Sequence, residues 1–462
     1  MEMKVFNTLT GQKEDFHPRT DVVTMYVCGI TAYDESHIGH AMSYVIFDVI
    51  KRYLEFKGYE VKHVQNFTDI DDKVIERANQ LGMPPLELAD QYVARCFADM
   101  DALNIKPANV YPKATEEIPK VIEIIQGLVA KGYAYESEGS VYFRVRSFPD
   151  YGKLSRRNLP DMISQASTYE EKKEYPLDFA LWKASKPGEP FWESPWGRGR
   201  PGWHMECSAL VLRHLGDSID IHGGGQDLVF PHHENEIAQS EGFTGEVPFA
   251  RYWLHNGLMQ LDEAKMSKST GNLVSVKDVL NHFSSDAIRL FILGSHYRSP
   301  LTYSEQALEA TERGAERLRG ARIHRASADS GAATLTAAPF EQKFVEAMDD
   351  DFNTAQAIAV LFELAKDINR GAEQGLTVAE GQHTLLKLAD VLGLTLEEKA
   401  QVAPDTEAFI SLLVSIRDDL RQDQHWQLAD KIRTELAKSG VTLEDTPQGT
   451  RWTYRRMQGR LV

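Results

Sequence analysis

The feature that most constrains the fold is a change of hydrophobic period near the front of the chain. A β-branched run, VVTMYVCGI (22–30), gives way to HAMSYVIFDVIKRYLEFKGY (40–59), whose apolar residues recur at helical spacing as far as Gly58. A second extended run, YEVKHVQNF (59–67), follows at once. Parallel strands need a crossover long enough to hold a helix, so this order predicts a parallel βαβ unit. The alternation resumes with WHMECSALVLRHLG (203–216), SIDIH (218–222) and ENEIAQSEG (234–242).

Between these blocks, helical patterns cover roughly 84–104 and 115–132, and GSVYFRV (139–145) opens a Gly/Pro-rich stretch to about 200. That stretch reads as an insertion, spanning about 113–200, in the sheet domain. From about 303 the pattern is helical, with helices expected over 340–373, 382–393 and 405–438 before a short β-like end. ASADSGAATLTAAP (326–339) reads as a linker. A chain of 462 residues exceeds one compact core, so several domains are expected.

Only three cysteines occur, Cys28, Cys96 and Cys207, which excludes a disulfide framework and fits a reducing compartment. No apolar run reaches the ~20 residues of a membrane helix, and the N-terminus lacks a signal core. A cytoplasmic protein is expected. The net charge of -17 opposes nucleic-acid binding unless positive charge is gathered locally. It is gathered at Arg313, Arg317, Arg319, Arg322 and Arg325, and in the tail RWTYRRMQGRLV. From charge alone both are equally solvated arginine faces.

Two short motifs carry chemistry. Ser36-His37-Ile38-Gly39-His40 lies where the first strand enters its helix, and a helix N-terminus attracts phosphate. His37 and His40, three apart, can donate to phosphate oxygens from one face, while Gly39 lets a flat base approach the backbone. Lys265-Met266-Ser267-Lys268-Ser269, ahead of a glycine, suits a loop that closes on polyphosphate. Each motif alone is weak, a chance His-x-Gly-His or a solvated lysine loop. Cys28, Cys207, His232 and Glu236 form a third set, with His232 and Glu236 four apart on one helix face. Two thiols, an imidazole and a carboxylate suit tetrahedral zinc. Core thiols and a helix-capping histidine account for the same residues, since no CxxC knuckle is present.

The first two motifs resemble the paired HIGH and KMSKS signatures of class I aminoacyl-tRNA synthetases, in the right order and separated by a sheet domain. CGITAYDESHIGH, NFTDIDDK, PGWHMECSA, DIHGGGQDLVFPHHENE, KMSKSTGN, MDDDFNT and LEDTPQGTRW together resemble the cysteinyl-tRNA synthetase family over nearly the whole chain.

The resemblance implies a Rossmann-like parallel-sheet catalytic domain over 1–302, with the KMSKS-containing region at about 259–302. An all-α anticodon-binding domain over 303–400 and a small mixed subdomain over 401–462 follow. It implies one zinc ion on Cys28, Cys207, His232 and Glu236, and cysteine enclosed by Cys28, Gly29, Thr68 and Trp203. ATP would lie on His37, Gly39, His40, Gly224, Asp227 and Lys268, with Mg²⁺. Catalysis falls to His37, His40, Lys265 and Lys268, and tRNA(Cys) is read by Arg421, Trp426, Asp430 and Asp445. Trp426, read cold, is a core anchor. Cys96 matches no motif and is expected to be a buried thiol.

The implied activity is a cysteine–tRNA ligase reaction. ATP and L-cysteine give cysteinyl-adenylate and pyrophosphate, and the terminal ribose of tRNA, through its 2′-hydroxyl, takes the cysteine and releases AMP. Zinc is expected to select thiol over hydroxyl, which an ordinary pocket separates poorly. A monomer without membrane contact is expected. Three rivals lose ground on particular residues. A mycothiol-pathway cysteine ligase has no counterpart to 340–462, and an HxGH nucleotidylyltransferase lacks the cysteine set. A non-catalytic tRNA-binding relative need not keep His37, His40, Lys265 and Lys268.

Overall fold

The structure is a computed structural model that describes residues 2–164, 172–261, 264–265, 274–323, 334–397, 404–439, 441–446 and 449–454. It resolves into two compact units, residues 1–396 and 397–462.

The first unit opens with a hairpin, β1 (Lys4–Asn7) and β2 (Gln12–Asp15), and continues with β3 (Val22–Val27), α1 (Ile38–Phe56) and β4 (Glu60–Gln65). α2 (Asp72–Leu81), α3 (Pro85–Ala102) and α4 (Ile118–Ala130) follow, then β5 (Ala134–Ser137), β6 (Ser140–Phe143), α5 (Leu159–Ser164), β7 (Phe179–Ala184) and β8 (Gly199–Pro201). The α/β alternation returns with α6 (Trp203–His214), β9 (Ile219–Gly225), α7 (Glu234–Thr244) and β10 (Ala250–Asn256). After them come β11 (Met259–Leu261), β12 (Ala264–Lys265), α8 (Val276–His282), α9 (Ser285–Leu293) and β13 (Leu301–Tyr303). Helices α10 (Glu305–Ile323), α11 (Ala338–Asp349), α12 (Thr354–Glu373) and α13 (Ala379–Val391) complete this unit.

The central sheet has the order β10-β9-β3-β4, and all its neighbours are parallel. β3 pairs with β4 on one side and with β9 on the other, so the chain reverses its winding between β3 and β9. Parallel sheets take ligands at the carboxyl ends of strands at such a reversal. Helix α1 is buried over most of its circumference, from Ile38 to Leu54, which is why its sequence is apolar almost all round. The β5–β8 stretch forms a separate antiparallel sheet.

Three helices are tied together beneath α1. Asp48 accepts from Arg52 Nε at 2.9 Å and from Arg289 Nη2. Arg289, fully buried, also donates to the carbonyls of Leu392 and Leu103, and Arg52 donates to Asp390. Removing one partner of such a buried cluster typically costs about 3–5 kcal/mol.

The expected helix 340–373 is two helices. The chain leaves α11 at Asp350, and Asp351 and Phe352 adopt positive φ. Asp351 then spends its carboxylate on the Phe6 N–H, the Tyr297 hydroxyl and Arg298. Tertiary bonds outweigh local helix propensity here. The 326–339 linker falls largely outside the described residues, and α11 already begins at Ala338.

The second unit holds α14 (Pro404–Gln422), α15 (Trp426–Lys438) and an antiparallel pair, β14 (Val441–Thr446) and β15 (Gly449–Tyr454). The helix expected over 405–438 is broken at Gln424, which has positive φ, while the His425 N–H closes on the Leu420 carbonyl. Ile410, Val414, Leu436, Val441 and Leu443 form its core.

Candidate active site

Cys28 follows the last residue of β3, and its N–H donates to the Gly223 carbonyl of β9 at 3.1 Å. The thiol therefore sits at the reversal point of the sheet. Cys207 reaches the same place from α6, and Glu236 from the first turn of α7. His232 comes from the irregular turn over Val229–His233, just before α7. The four ligand atoms lie within 4.8 Å of one another and all four residues are buried.

The donor distances test whether zinc fits. Zinc–sulfur bonds of ~2.3 Å in a tetrahedron place two sulfurs ~3.8 Å apart and a sulfur and an imidazole nitrogen ~3.5 Å apart. The Cys28 and Cys207 sulfurs are 3.8 Å apart, and Cys207 Sγ lies 3.4 Å from His232 Nε2. Glu236 Oε1 lies 3.7 Å from Cys28 Sγ and 3.0 Å from His232 Nε2. These residues fit zinc in both chemistry and spacing. A second grouping, Cys28, His222, His233 and Glu236, shares two members with it. It has one thiol, and His233 Nε2 lies 4.0 Å from Glu236 Oε1. The two-thiol set is the better zinc site.

The charges of the set support one another. The Cys28 hydrogen bond draws the Cys207 thiol down to about 6, while burial pushes Cys28 up. Burial opposes the charged form of His232, yet Cys207 and Glu236 hold it up at about 10. Burial likewise opposes the Glu236 carboxylate, but His222 and His232 hold it down to about 2. Neighbouring rings fix the ligands in place. His222 Nε2 meets Glu236 Oε2 at 2.8 Å, and His204 Nδ1 meets His232 Nδ1 at 2.9 Å. Such partners orient metal ligands and set their tautomers.

The residues expected around cysteine gather at the rim. Trp203, 37% exposed, stacks on His232 with ring centroids 4.4 Å apart. The Gly29 N–H donates to Asn66 Oδ1 at 2.9 Å, and a Cβ at Gly29 would lie 1.6 Å from the Asn66 carbonyl oxygen. No side chain fits there. Thr68 donates to Glu206 Oε2 at 3.0 Å from the adjoining strand end.

His37 caps α1, and its ring stacks on that of His40 at 3.5 Å. Each Nδ1 faces the other residue's backbone N–H at 3.3 Å. An Nδ1 that accepts leaves the ring proton on Nε2, which makes both rings donors. The first turn of α1 carries no acidic residue. A Cβ on Gly39 would meet the His37 ring at 3.0 Å, and one on Gly224 would meet the His233 ring at 2.9 Å. Both glycines thus make room for histidine rings. Asp227 is exposed just beyond β9.

Lys265 lies in β12, paired through its backbone with Gln260, and Lys268 lies outside the described residues. The segment after the lysine motif is nonetheless joined to the histidine motif. The Ile38 N–H donates to the Val274 carbonyl at 3.0 Å and the Val276 N–H to the Ser36 carbonyl at 2.9 Å.

The sequence reading did not single out His204, His222, His233, His255 or Glu206. A signal was present: His204, His214, His222, His232, His233 and His255 are six of the 15 histidines and fall within a short span. Cys96 is buried, with its thiol raised to about 11 by burial. In the second unit Trp426 is 55% exposed and Asp430 is exposed one turn on, so Trp426 is no core anchor. Arg421 and Asp445 form an ion pair. Of the arginine row, Arg319 is engaged by Glu312 and Ser284, and Arg322 by the Leu396 carbonyl.

Residues 16–313 match the family model described as tRNA synthetases class I (C) catalytic domain, and 343–397 match the DALR domain. A cysteine–tRNA ligase from Dehalococcoides mccartyi is 55% identical over 98% of this chain and 100% of its own length. One from Carboxydothermus hydrogenoformans is 50% identical over 97% of this chain and 99% of its own. The chain belongs to the cysteine–tRNA ligases. It is a ligase enzyme of class I aminoacyl-tRNA synthetase fold.

Solved structures share that fold at low identity. The Mycobacterium tuberculosis methionyl-tRNA synthetase in complex with methionyl-adenylate has a TM-score of 0.57 at 15% identity, covering 81% of the ligase chain and 90% of its own. An Agrobacterium radiobacter LeuRS–tRNA–LeuAMS ternary complex has a TM-score of 0.58 at 12% identity, covering 83% and 86%. No helix among the described residues of this ligase is long and apolar enough to cross a membrane.

Proposed function

We propose that this chain activates L-cysteine with ATP, transfers it to tRNA(Cys), and selects its substrate at the Cys28–Cys207–His232–Glu236 cluster. The observation that carries the reading is that cluster, four buried donors spaced for tetrahedral zinc at the carboxyl ends of β3 and β9. Zinc held there supplies a soft Lewis acid that prefers a thiolate to a hydroxyl and lowers the pKa of a thiol.

The remaining steps fall to the chain's own groups. Trp203, Gly29 and Thr68 enclose the amino acid, with Trp203 held flat against His232. The cysteine carboxylate attacks the ATP α-phosphate in line and pyrophosphate leaves. His37 and His40 donate through Nε2 to the phosphate oxygens where charge grows, helped by the N-terminus of α1, by Lys265 and Lys268, and by Mg²⁺. Gly224 and Asp227 take the adenosine end of ATP. The terminal ribose 2′-hydroxyl of tRNA then attacks the activated carbonyl, and AMP leaves.

In the same reading 1–302 is the catalytic domain with its insertion, and 303–400 and 401–462 are the anticodon-binding parts. Arg421, Trp426, Asp430 and Asp445 form the anticodon site. The protein acts as a monomer in the cytoplasm. The test is ATP–pyrophosphate exchange with cysteine, followed by charging of purified tRNA. Exchange without charging would remove the tRNA step, and no exchange would remove the whole reading.

A further inference from the structure

Every zinc ligand of the cluster but one has a partner behind it. His204 backs His232, and His222 backs Glu236. His233 Nε2 lies 3.2 Å from Cys28 Sγ, and its Nδ1 is tied at 2.8 Å to His255 Nε2. The Cys207 sulfur differs. Among the described residues it meets Cys28 Sγ and His232 Nε2, and both belong to the same ligand set. A zinc-bound thiolate is an anionic acceptor, and hydrogen bonds to anions are the stronger kind.

A buried donor without an acceptor stands on the same side. Tyr26 is fully buried, and its hydroxyl has no hydrogen-bond partner among the described residues. It precedes Cys28 by two residues, and side chains two apart on a strand share a face. Across the sheet it stands opposite His222 of β9, with ring centroids 5.2 Å apart. It packs in one core cluster with Cys28 and Cys207. A phenol keeps its proton at neutral pH. Burial, and after it the charge of Cys207, push this one up further. An unpaired buried hydroxyl is destabilising, so the position calls for an acceptor.

We propose that Tyr26 is a positioning residue whose hydroxyl donates to the Cys207 thiolate when zinc is bound. Two thiolates and a carboxylate together exceed the charge of one Zn²⁺ ion, and a substrate thiolate must join that excess. A hydrogen bond that draws charge from one sulfur keeps the metal receptive to the next. This deepens the zinc reading above and rests on it.

The test compares the full-length parent with Tyr26→Phe, which removes only the oxygen, and with Tyr26→Met should Tyr26→Phe not fold. Zinc affinity is measured by competition with a chromophoric chelator, and the sulfur-to-metal charge-transfer bands are recorded on the cobalt-loaded proteins. The variant should bind zinc about 10–100-fold more weakly. Its cobalt bands should move to longer wavelength, since a thiolate without its hydrogen bond gives up charge more readily. Melting separates this from a structural role. Without metal the hydroxyl has no partner, so Tyr26→Phe should melt no lower than the parent. With zinc it should gain less than the parent gains.

Unchanged affinity with unchanged bands would overturn the assignment. So would weaker binding with unmoved bands, which would put the hydroxyl on a ligand other than a thiolate. Equal melting losses with and without zinc, or failure of both variants to fold, would make Tyr26 structural and overturn it as well. A parent protein that takes up neither zinc nor cobalt would sink the underlying zinc reading instead, so the two failures are distinguishable.

Discussion

Replacing Trp426 by alanine separates the two halves of the proposed activity. The side chain is 55% exposed and stands apart from the core of its unit, to which Ile432 and Trp452 add partial cover. Truncating it leaves no cavity, and a surface change of that kind stays within about 0.5 kcal/mol of the parent stability. If Trp426 stacks on an unpaired base, its loss costs roughly 1–3 kcal/mol of RNA binding. At about 1.4 kcal/mol per decade, charging kcat/KM then falls about five- to 150-fold. ATP–pyrophosphate exchange with cysteine needs no tRNA and should be unchanged. The assay is both reactions on one preparation, with its melting temperature. Equal losses in exchange and charging, with a melting temperature lowered by several degrees, would mean that Trp426 acts structurally.

Cys28→Ser or Cys207→Ser should take the purified protein from about one zinc per chain to almost none, because thiolates dominate a site of this composition; metal analysis showing zinc retained refutes the ligand set. His40→Ala should lower the activation kcat by about 10²–10³ with little change in the cysteine KM, and the opposite pattern removes its role at the phosphates. Burial holds His63 neutral, with its pKa lowered to about 3, and neither ring nitrogen has a hydrogen-bond partner among the described residues. Its contribution to stability is full above the unfolded value of about 6.5 and is lost as pH falls from there toward the folded value. Denaturation midpoints across that window should fall more steeply for the parent than for His63→Phe, and equal slopes would contradict this.

The sheet was legible because its signal is local. β3, α1 and β4 change period within a short stretch, and Val61 and His63 of β4 are buried while Glu60 and Lys62 between them are exposed. The candidate zinc set was weak on spacing and gained weight only from the resemblance, since Cys28 and Cys207 are 179 residues apart and meet only where α6 packs by the end of β3. The histidines around it were not legible as a group. His204 and His255 become partners of His232 and His233 only once α6 and β10 flank β9. Arg417 gave no sign at all, because one arginine in a charged helix looks solvated until β14 brings Asp445 against it. The break at Asp351 was hidden for the same reason, as its carboxylate answers to Phe6 and Tyr297, far away in sequence.

The central claim is that a metal cluster, rather than pocket shape, tells cysteine from serine. It is tested most directly by ATP–pyrophosphate exchange with each amino acid, on zinc-loaded protein and on the same protein after chelation and zinc return. The account predicts fast exchange with cysteine and near-background exchange with serine, loss of the cysteine signal on chelation, and its recovery with zinc. Full-rate cysteine activation by metal-free protein, or serine activated as well as cysteine by the zinc-loaded form, would contradict it.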